Sequence, residues 1–267
     1  AEEPAPLPST EAILVKVDVA ALRQAGILEQ VAGRGGVQET EYLQFVSGTG
    51  FNYETDLDEI YASWGFRQSD YYLVKGRFDW TRLREYAKQS GGTCLNAYCS
   101  LPASAPSRFI SFFPLKEDIM AVGVSRDQDA AYLLLGDLFG LESPFPDVPV
   151  WLRVPSDRLS SAEQAMPAAR VLLEPLARAR YVDLALTGTL TSVNLALEVE
   201  CYTAGQAEML AEQMTTISGK LKEIAGQQES GALLRTLASA KFSSSGTEVQ
   251  GDWNLPFTQL QTLFQGF

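Results

Sequence analysis

The side chains that could do chemistry in this chain are carboxylates, thiols, lysines and tyrosines, because the sequence contains no histidine. An imidazole is the base of the common serine and cysteine hydrolase triads, and it is a ligand of histidine zinc sites and facial-triad iron sites. The sequence therefore excludes these mechanisms. Chemistry by carboxylate, lysine, tyrosine or thiol remains, or no chemistry at all.

Glu198 and Glu200 are the best-spaced pair of carboxylates. Alternate positions on a strand point to the same face, which places these side chains about 7 Å apart, within the range that glycoside hydrolysis uses. Neighbouring acids on an exposed sheet are more often ordinary surface. We therefore favour solvation, and we keep a carboxylate-dependent hydrolase of envelope polysaccharide as an alternative.

A second acidic group, Glu54, Asp56, Asp58 and Glu59, lies within six residues. Its carboxylate oxygens are the ligand type that calcium prefers, but a calcium loop of the EF-hand type needs glycine at its sixth position, where Glu59 stands. The pattern favours local capping around Thr55 and solvation. We predict no metal site and no cofactor site.

The sequence has three cysteines, Cys94, Cys99 and Cys201. On one straight strand, Cys94 and Cys99 would lie about 16 Å apart, too far for a disulfide. A bond between them requires a turn at 95–98, so a disulfide and two separate thiols both remain open. Cys201 falls on the apolar face of a predicted strand, which indicates a buried and unreactive thiol.

Two further motifs fail on spacing. The run Gly33-Arg34-Gly35-Gly36 lacks the spacing of a phosphate-binding loop and follows a predicted helix, so it indicates a helix end. Ser218 and Lys220 are two residues apart on a helix and diverge, unlike the Ser-x-x-Lys pair of lactamases. We predict no catalytic residue.

The aromatic residues Phe109, Phe112 and Phe113 are dense in one predicted strand. Such a strand is typical of core packing, or of a sheet that is covered on both faces. A ligand slot at these rings is the less favoured alternative.

Composition limits the partners of the chain. The net charge of −12 repels nucleic acid phosphates, so we expect no nucleic acid partner. No run of 18 apolar residues occurs, which predicts no transmembrane segment. Residues 1–11 are proline-rich and predict an N-terminal tether. With Ala1 as first residue, we expect a removed signal peptide, an exported protein of the periplasm or cell surface, and a lipid anchor upstream as an option.

The elements that would position these residues form two series. Over 12–142, strands alternate with helices that begin at Asp18 and Asp79 and at a capping box from Ser125. Residues 143–147 carry two prolines and predict a linker. Over 148–267, a hairpin around Thr187–Thr189 precedes a long helix that begins at Thr203.

In that long helix, we expect the following residues to face inward: Met209, Leu210, Met214, Ile217, Leu221 and Ile224. Both series run strand, helix, two strands, helix, two strands, helix. We therefore predict an α+β fold with two similar modules, each an antiparallel sheet with helices on one face.

The run Tyr72-Leu73-Val74-Lys75-Gly76-Arg77-Phe78-Asp79 and the strand Ile119-Met120-Ala121-Val122-Gly123-Val124 resemble uncharacterised exported proteins and lipoproteins of soil bacteria. Those proteins are alanine-rich and bipartite, and the resemblance implies the same layout here. It implies no catalytic residue.

These observations favour binding or scaffolding at the cell envelope over catalysis. The expected partner is an envelope protein or a small ligand, and a ligand site is expected where the modules meet, since clefts between domains are favoured. Besides the hydrolase, the second alternative is a carrier of an apolar small molecule. A carrier would need a cavity of several hundred cubic ångströms lined by Phe, Leu and Met.

Overall fold

The computed structural model describes residues 11–28, 40–135, 145–159, 173–188, 192–227, 235 and 238–256. The chain divides into two compact units, Ala1–Pro149 and Val150–Phe267. Residues 1–10 of the predicted tether 1–11 and the glycine run at 33–36 lie outside the described residues. The sequence also predicts helices over 162–179 and 233–240 and a final helix after Pro256. Residues 162–172, 233–234, 236–237 and 257–267 of these lie outside as well.

The described residues of the first unit form seven strands that pair antiparallel in the order β1-β2-β3-β7-β6-β5-β4. Their bounds are β1 Ile13–Asp18, β2 Leu57–Phe66, β3 Ser69–Gly76, β4 Thr93–Leu95, β5 Tyr98–Pro102, β6 Phe109–Lys116 and β7 Ile119–Ser125. The central feature is that β7 inserts between β3 and β6. Strands that are neighbours in the sheet also follow each other in the chain, except for the pair β3–β7, which is separated in the chain by a helix at Trp80–Gln89 and by strands β4 to β6.

The first unit also contains helices α1 Val19–Gln24, α2 Thr40–Thr49, α3 Tyr53–Asp56 and α4 Trp80–Gln89, and a 3₁₀ helix at Ala130–Leu135. The predicted caps at Asp18 and Asp79 are present. The Asp18 carboxylate accepts a hydrogen bond from the backbone N–H of Ala21 at 2.7 Å, and the Asp79 carboxylate accepts two from the first turn of α4. Each cap satisfies donors that a helix start leaves unpaired.

Helices cover both faces of this sheet, so the prediction of helices on one face is wrong for the first unit. Leu83 of α4 packs on the face that carries Phe112. On the opposite face, the backbone N–H of Ala131 in the 3₁₀ helix donates to the Ser111 hydroxyl at 3.0 Å. Strand β6 is apolar on both faces, and each face must be covered.

The predicted helix after Ser125 is a 3₁₀ helix, and its capping box with Gln128 does not form. The Ser125 hydroxyl accepts from the N–H of Asp127 instead. A Cβ at Gly123 would lie 2.7 Å from the backbone nitrogen of Ala131, so the 3₁₀ segment lies directly on the strand.

In the second unit, the part of the chain that the structure describes forms five strands in the order β8-β9-β10-β12-β11, and their pairings are antiparallel. Their bounds are β8 Val150–Pro155, β9 Tyr181–Gly188, β10 Ser192–Glu200, β11 Lys241–Ser245 and β12 Glu248–Pro256. Two described helices accompany them, α5 Ser156–Leu159 and α6 Ala204–Gln227. The fold is thus a mixture of helices with large antiparallel sheet.

Helix α6 begins at the predicted capping box. The N–H of Gln206 donates to the Thr203 hydroxyl at 3.2 Å, and the Gln206 side chain accepts from the N–H of Tyr202 at 3.1 Å. The buried residues follow the helical period: Ala207, Leu210, Ala211, Met214, Ser218, Leu221 and Ala225.

Met209 and Ile224, which we expected to face inward, are 67% and 46% exposed. The buried stripe of α6 packs against β11 and β12. Met209 lies about 200° round the helix from Ala207 and Ala211, and Ile224 lies about 100° from Ala225, so both fall outside this stripe. Among the described residues, no helix has both the length and the apolar character that crossing a bilayer requires.

Candidate apolar binding cavity

The first unit contains a cavity of about 460 Å³ between helices α2 and α4 and one face of strands β5, β6 and β7. Its lining is mainly apolar. The lining residues are Gln44, Phe45, Leu83, Tyr86, Ser90, Leu101, Pro102, Ala103, Ser104, Ile110, Phe112, Met120 and Val122.

The periods of strand and helix explain which side chains reach the cavity. Ile110 and Phe112 on β6 are two residues apart, as are Met120 and Val122 on β7, so each pair lies on one face. On α4, the lining positions 83, 86 and 90 recur with the helical spacing of three and four. The cavity therefore receives alternate residues from the sheet and one stripe from the helix.

The floor of the cavity is buried core. Leu83, Leu101 and Phe112 are 3%, 7% and 6% exposed, and they cluster with Ala87 and Cys99. Cys99 forms a disulfide with Cys94. The bond joins opposite positions of β4 and β5, which form a hairpin. The turn of this hairpin lies at 96–97, within the segment 95–98 where we expected the turn that a disulfide requires. It therefore fixes a strand that contributes to the floor.

Aromatic rings form the α2 side of the cavity. The ring of Phe45 meets that of Tyr86 edge-on at 5.4 Å between centroids, and it lies 6.0 Å from that of Phe51. Gly48 permits this packing, because a Cβ there would lie 2.6 Å from Cδ2 of Tyr86. Phe51 in turn stacks on Phe78 at 5.4 Å.

The rim of the cavity is polar but uncharged. Gln44, Ser90, Pro102 and Ser104 are exposed members of the lining. Among the described residues that line the cavity, none is Asp, Glu, Lys or Arg. The arrangement can hold an apolar molecule and offer it a few hydrogen-bonding groups at one end.

The carboxylates that the sequence singled out lie elsewhere. Glu198 and Glu200 are on β10 of the second unit, and neither lines the cavity. Partial burial raises the pKa of Glu198, and the neighbouring carboxylates of Glu248 and Asp183 add to this shift. A smaller cavity of about 200 Å³ in that unit has one acid, Glu174, among its described lining residues. The described lining of neither cavity therefore supplies the pair of acids that a carboxylate hydrolase needs.

The acidic group around α3 forms ion pairs with basic side chains and lies next to the N-cap of this helix. Asp56 and Asp58 both lie within 4 Å of the Arg77 guanidinium. The residue that caps α3 is Asn52, whose side chain accepts from the N–H of Glu54 at 2.9 Å, so the expected capping around Thr55 is shifted by three positions. No set of three potential metal ligands occurs in the part of the chain that the structure describes.

Glu59 has a different environment from the other acids of this group. Burial alone would raise the pKa of Glu59. Its carboxylate accepts hydrogen bonds from the Tyr61 hydroxyl and from Nζ of Lys75, the second at 3.1 Å, and these bonds outweigh burial and lower the pKa. Tyr61 and Lys75 therefore hold the Glu59 carboxylate in its charged form as part of the sheet structure.

Cys201 is buried, and desolvation raises the pKa of its thiol, so the structure places it in the unreactive environment that the sequence indicates. Ser218 is buried on α6, whereas Lys220 is exposed. The two side chains thus point in different directions.

Of the three phenylalanines of β6, Phe112 and Phe113 lie on opposite faces of the sheet, and Phe109 is half-buried at the start of the strand. Phe112 lines the cavity, whereas Phe113 lies on the other face, with its ring 6.0 Å from that of Tyr98. Tyr98 also stacks on Tyr132 of the 3₁₀ helix at 4.0 Å. Reasoning from sequence missed the lining at Phe45, Met120 and Val122. The only sequence signal was the run of alternating apolar residues on both sheet strands.

Comparison with known proteins finds likeness in fold only. No family model and no curated protein matches the chain. Crystal form III of TP0453 matches with a TM-score of 0.59 and 9% identity, over 100% of this chain and 99% of that one. Crystal form I of the same protein matches with a TM-score of 0.52 and 10% identity, over 95% and 92%. The chain is therefore similar in fold to TP0453 along nearly its whole length.

Proposed function

We propose that this protein is a non-enzymatic binding protein of the cell envelope that holds an apolar small molecule in the cavity of its first unit. The observation that carries the proposal is the cavity of about 460 Å³ with its floor of Leu83, Leu101 and Phe112. Sites for small molecules have volumes of about 300–1,000 Å³ and mainly apolar walls with a few polar groups.

The chemistry of the lining supports binding over catalysis. Of the lining residues that the structure describes, Tyr86 alone has an ionisable side chain. General acid–base catalysis most often uses histidine, a carboxylate or lysine, and the described lining residues include none of these. A molecule in this cavity would therefore be held and released without being changed.

Export is supported by the disulfide between Cys94 and Cys99. Disulfides persist mainly in oxidising compartments such as the periplasm and the cell surface. Fractionation of the cells that produce the full-length protein, with alkylation of free thiols during lysis, tests this part. Cytosolic protein with both thiols alkylated would contradict it.

Binding is tested with N-phenyl-1-naphthylamine, an uncharged apolar dye that fluoresces in apolar surroundings. We expect saturable binding to the unaltered protein. Ala103→Trp should weaken it at least about tenfold, because Ala103 lines the cavity and an indole would occupy its volume.

Ala105→Trp is the matched control, since Ala105 is exposed in the same loop and does not line the cavity. It should leave dye binding unchanged. Equal affinity of the two variants, or no saturable binding to the unaltered protein, would refute the proposed function.

We also propose that the two units are copies of one folding module. The correspondence pairs β1, β2, β3, β7 and β6 with β8, β9, β10, β12 and β11, in that order across each sheet. Helix α4 then corresponds to α6, because each follows the first hairpin of its unit. The hairpin β4–β5 is an addition in the first unit. An experimental structure in which these paired elements fail to superpose would contradict the duplication.

A further inference from the structure

The rim of the cavity determines which class of apolar molecule fits. A lipid-like molecule has a chain, which the floor can bury, and a head, which must remain at the opening. The exposed groups there are the amide of Gln44 and the hydroxyls of Ser90 and Ser104. Each can donate and accept hydrogen bonds, and none is charged. These groups complement a hydroxyl or an ester.

Among the residues that the structure describes, no basic side chain lines the cavity for an ionised head to bind. Arg82 precedes the lining residue Leu83, and its Nε lies 3.6 Å from Oδ2 of Asp79. Arg108, in the segment that follows Ser104, binds Asp70 at 2.9 Å and the carbonyl of Val124 at 2.8 Å. Both guanidinium groups are thus engaged with other residues.

Lys88 is the remaining basic side chain of α4 in its C-terminal half. It is exposed and does not line the cavity. The residues at positions 86 and 90 line the cavity. Because each residue turns the helix by about 100°, both lie about 200° round the helix axis from position 88. The ammonium group is therefore on the far side of the helix.

The protein as a whole also disfavours an anion. Its net charge is −12, and an ionised carboxylate loses much of its hydration when it approaches an apolar wall without a partner. A neutral head of the same size does not incur this cost.

We infer that the cavity selects an uncharged amphiphile, a long-chain alcohol or ester, over the ionised fatty acid with the same chain. This inference rests on the proposed function, since it names the ligand class of the same cavity. An apolar cavity with a cationic rim would not have this preference for an uncharged head group.

The test is displacement of N-phenyl-1-naphthylamine by decanol and by decanoate at about pH 8, where a carboxyl group is ionised. Decanol should displace the dye at a concentration at least about tenfold lower, a ratio that corresponds to about 1.4 kcal/mol. The two competitors have the same chain, so the ratio reports the head group.

Ser104→Lys supplies the missing cation at the rim and should improve displacement by decanoate about threefold or more, with little effect on decanol. Ser244→Lys is the matched control, because Ser244 is exposed on β11 of the second unit and the change in net charge is the same. It should leave the ratio unchanged.

The outcomes separate the two proposals. Equal displacement by decanol and decanoate, or a ratio that Ser104→Lys does not move, overturns the inference and leaves the binding function standing. A dye that does not bind, or that neither competitor displaces, overturns both.

Discussion

Arg153 binds Asp183 through two hydrogen bonds from directly opposite positions on strands β8 and β9, with Nε to Oδ1 at 2.8 Å and Nη2 to Oδ2 at 2.6 Å. The guanidinium also lies over the ring of Tyr181, 4.1 Å from its centroid. The Asp183 side chain is 9% exposed. This pair is therefore a well-ordered polar contact within the sheet of the second unit.

Asp183→Ala should lower the free energy of unfolding by about 2 kcal/mol, because it leaves a partly buried guanidinium without its bidentate partner. Urea unfolding followed by circular dichroism measures the change. Asp252→Ala is the control, since Asp252 is exposed on β12, and it should stay within about 0.5 kcal/mol. Equal effects of the two variants would contradict the importance of the pair.

Tyr61→Phe should destabilise the protein by about 1 kcal/mol at neutral pH, because it removes the hydroxyl that hydrogen-bonds the Glu59 carboxylate. A lowered carboxyl pKa contributes stability above the pKa of the unfolded chain, and that contribution is lost as pH falls through the folded pKa.

The difference between Tyr61→Phe and the unaltered protein should therefore narrow as pH falls below about 4. Thermal unfolding over a series of pH values measures it, with the exposed Tyr202→Phe as the control. A difference that stays constant with pH would show that the Glu59 carboxylate is not the partner that matters.

Removal of the disulfide by Cys94→Ser with Cys99→Ala should lower the free energy of unfolding by about 2 kcal/mol, the expected effect of freeing a loop this short. It should also weaken dye binding, since Cys99 packs in the floor beside Leu101 and Phe112.

Dithiothreitol provides the control for the disulfide. It should weaken dye binding to the unaltered protein and have no effect on the double variant. A reductant effect in both proteins would indicate a cause other than this bond.

Two glycines form a matched pair. Gly123→Ala should destabilise the protein by about 2 kcal/mol, because the new methyl group would lie 2.7 Å from the nitrogen of Ala131. Gly219→Ala should stabilise it by about 0.5–1 kcal/mol, since nothing lies within 4 Å of the new methyl group and alanine favours the helix. Denaturant titration of both variants checks the signs, and two changes of the same sign would contradict this account.

The sequence was sufficient for part of the local structure. Asp18, Asp79 and Thr203 mark helix starts in the structure, because capping depends on side chains within three residues of the helix. The hairpins β9–β10 and β11–β12 were also predictable, since alternating apolar residues and a short turn specify them. For Met209 and Ile224, hydrophobicity alone was misleading, because the angular position of a residue on the helix decides whether it joins the buried stripe of α6.

The position of the cavity could not be predicted from the sequence. From the sequence, we expected only that a carrier would need a cavity of this size lined by apolar residues. The residues that line the cavity come from three strands and two helices, and they are up to 78 positions apart in the chain. The order β7-β6-β5 brings them together, and strand order depends on long-range contacts that local patterns do not encode. The expected site where the modules meet stays a prediction.

Strand β4 is the outermost strand beside β5, and it is only three residues long. An open sheet edge presents unpaired backbone groups that can recruit a strand from another molecule, and short edge strands limit this recruitment. The crosslink to β5 keeps this small strand in its register. The hairpin therefore also acts as a barrier to intermolecular β-pairing, which would protect the protein from aggregation at high concentration.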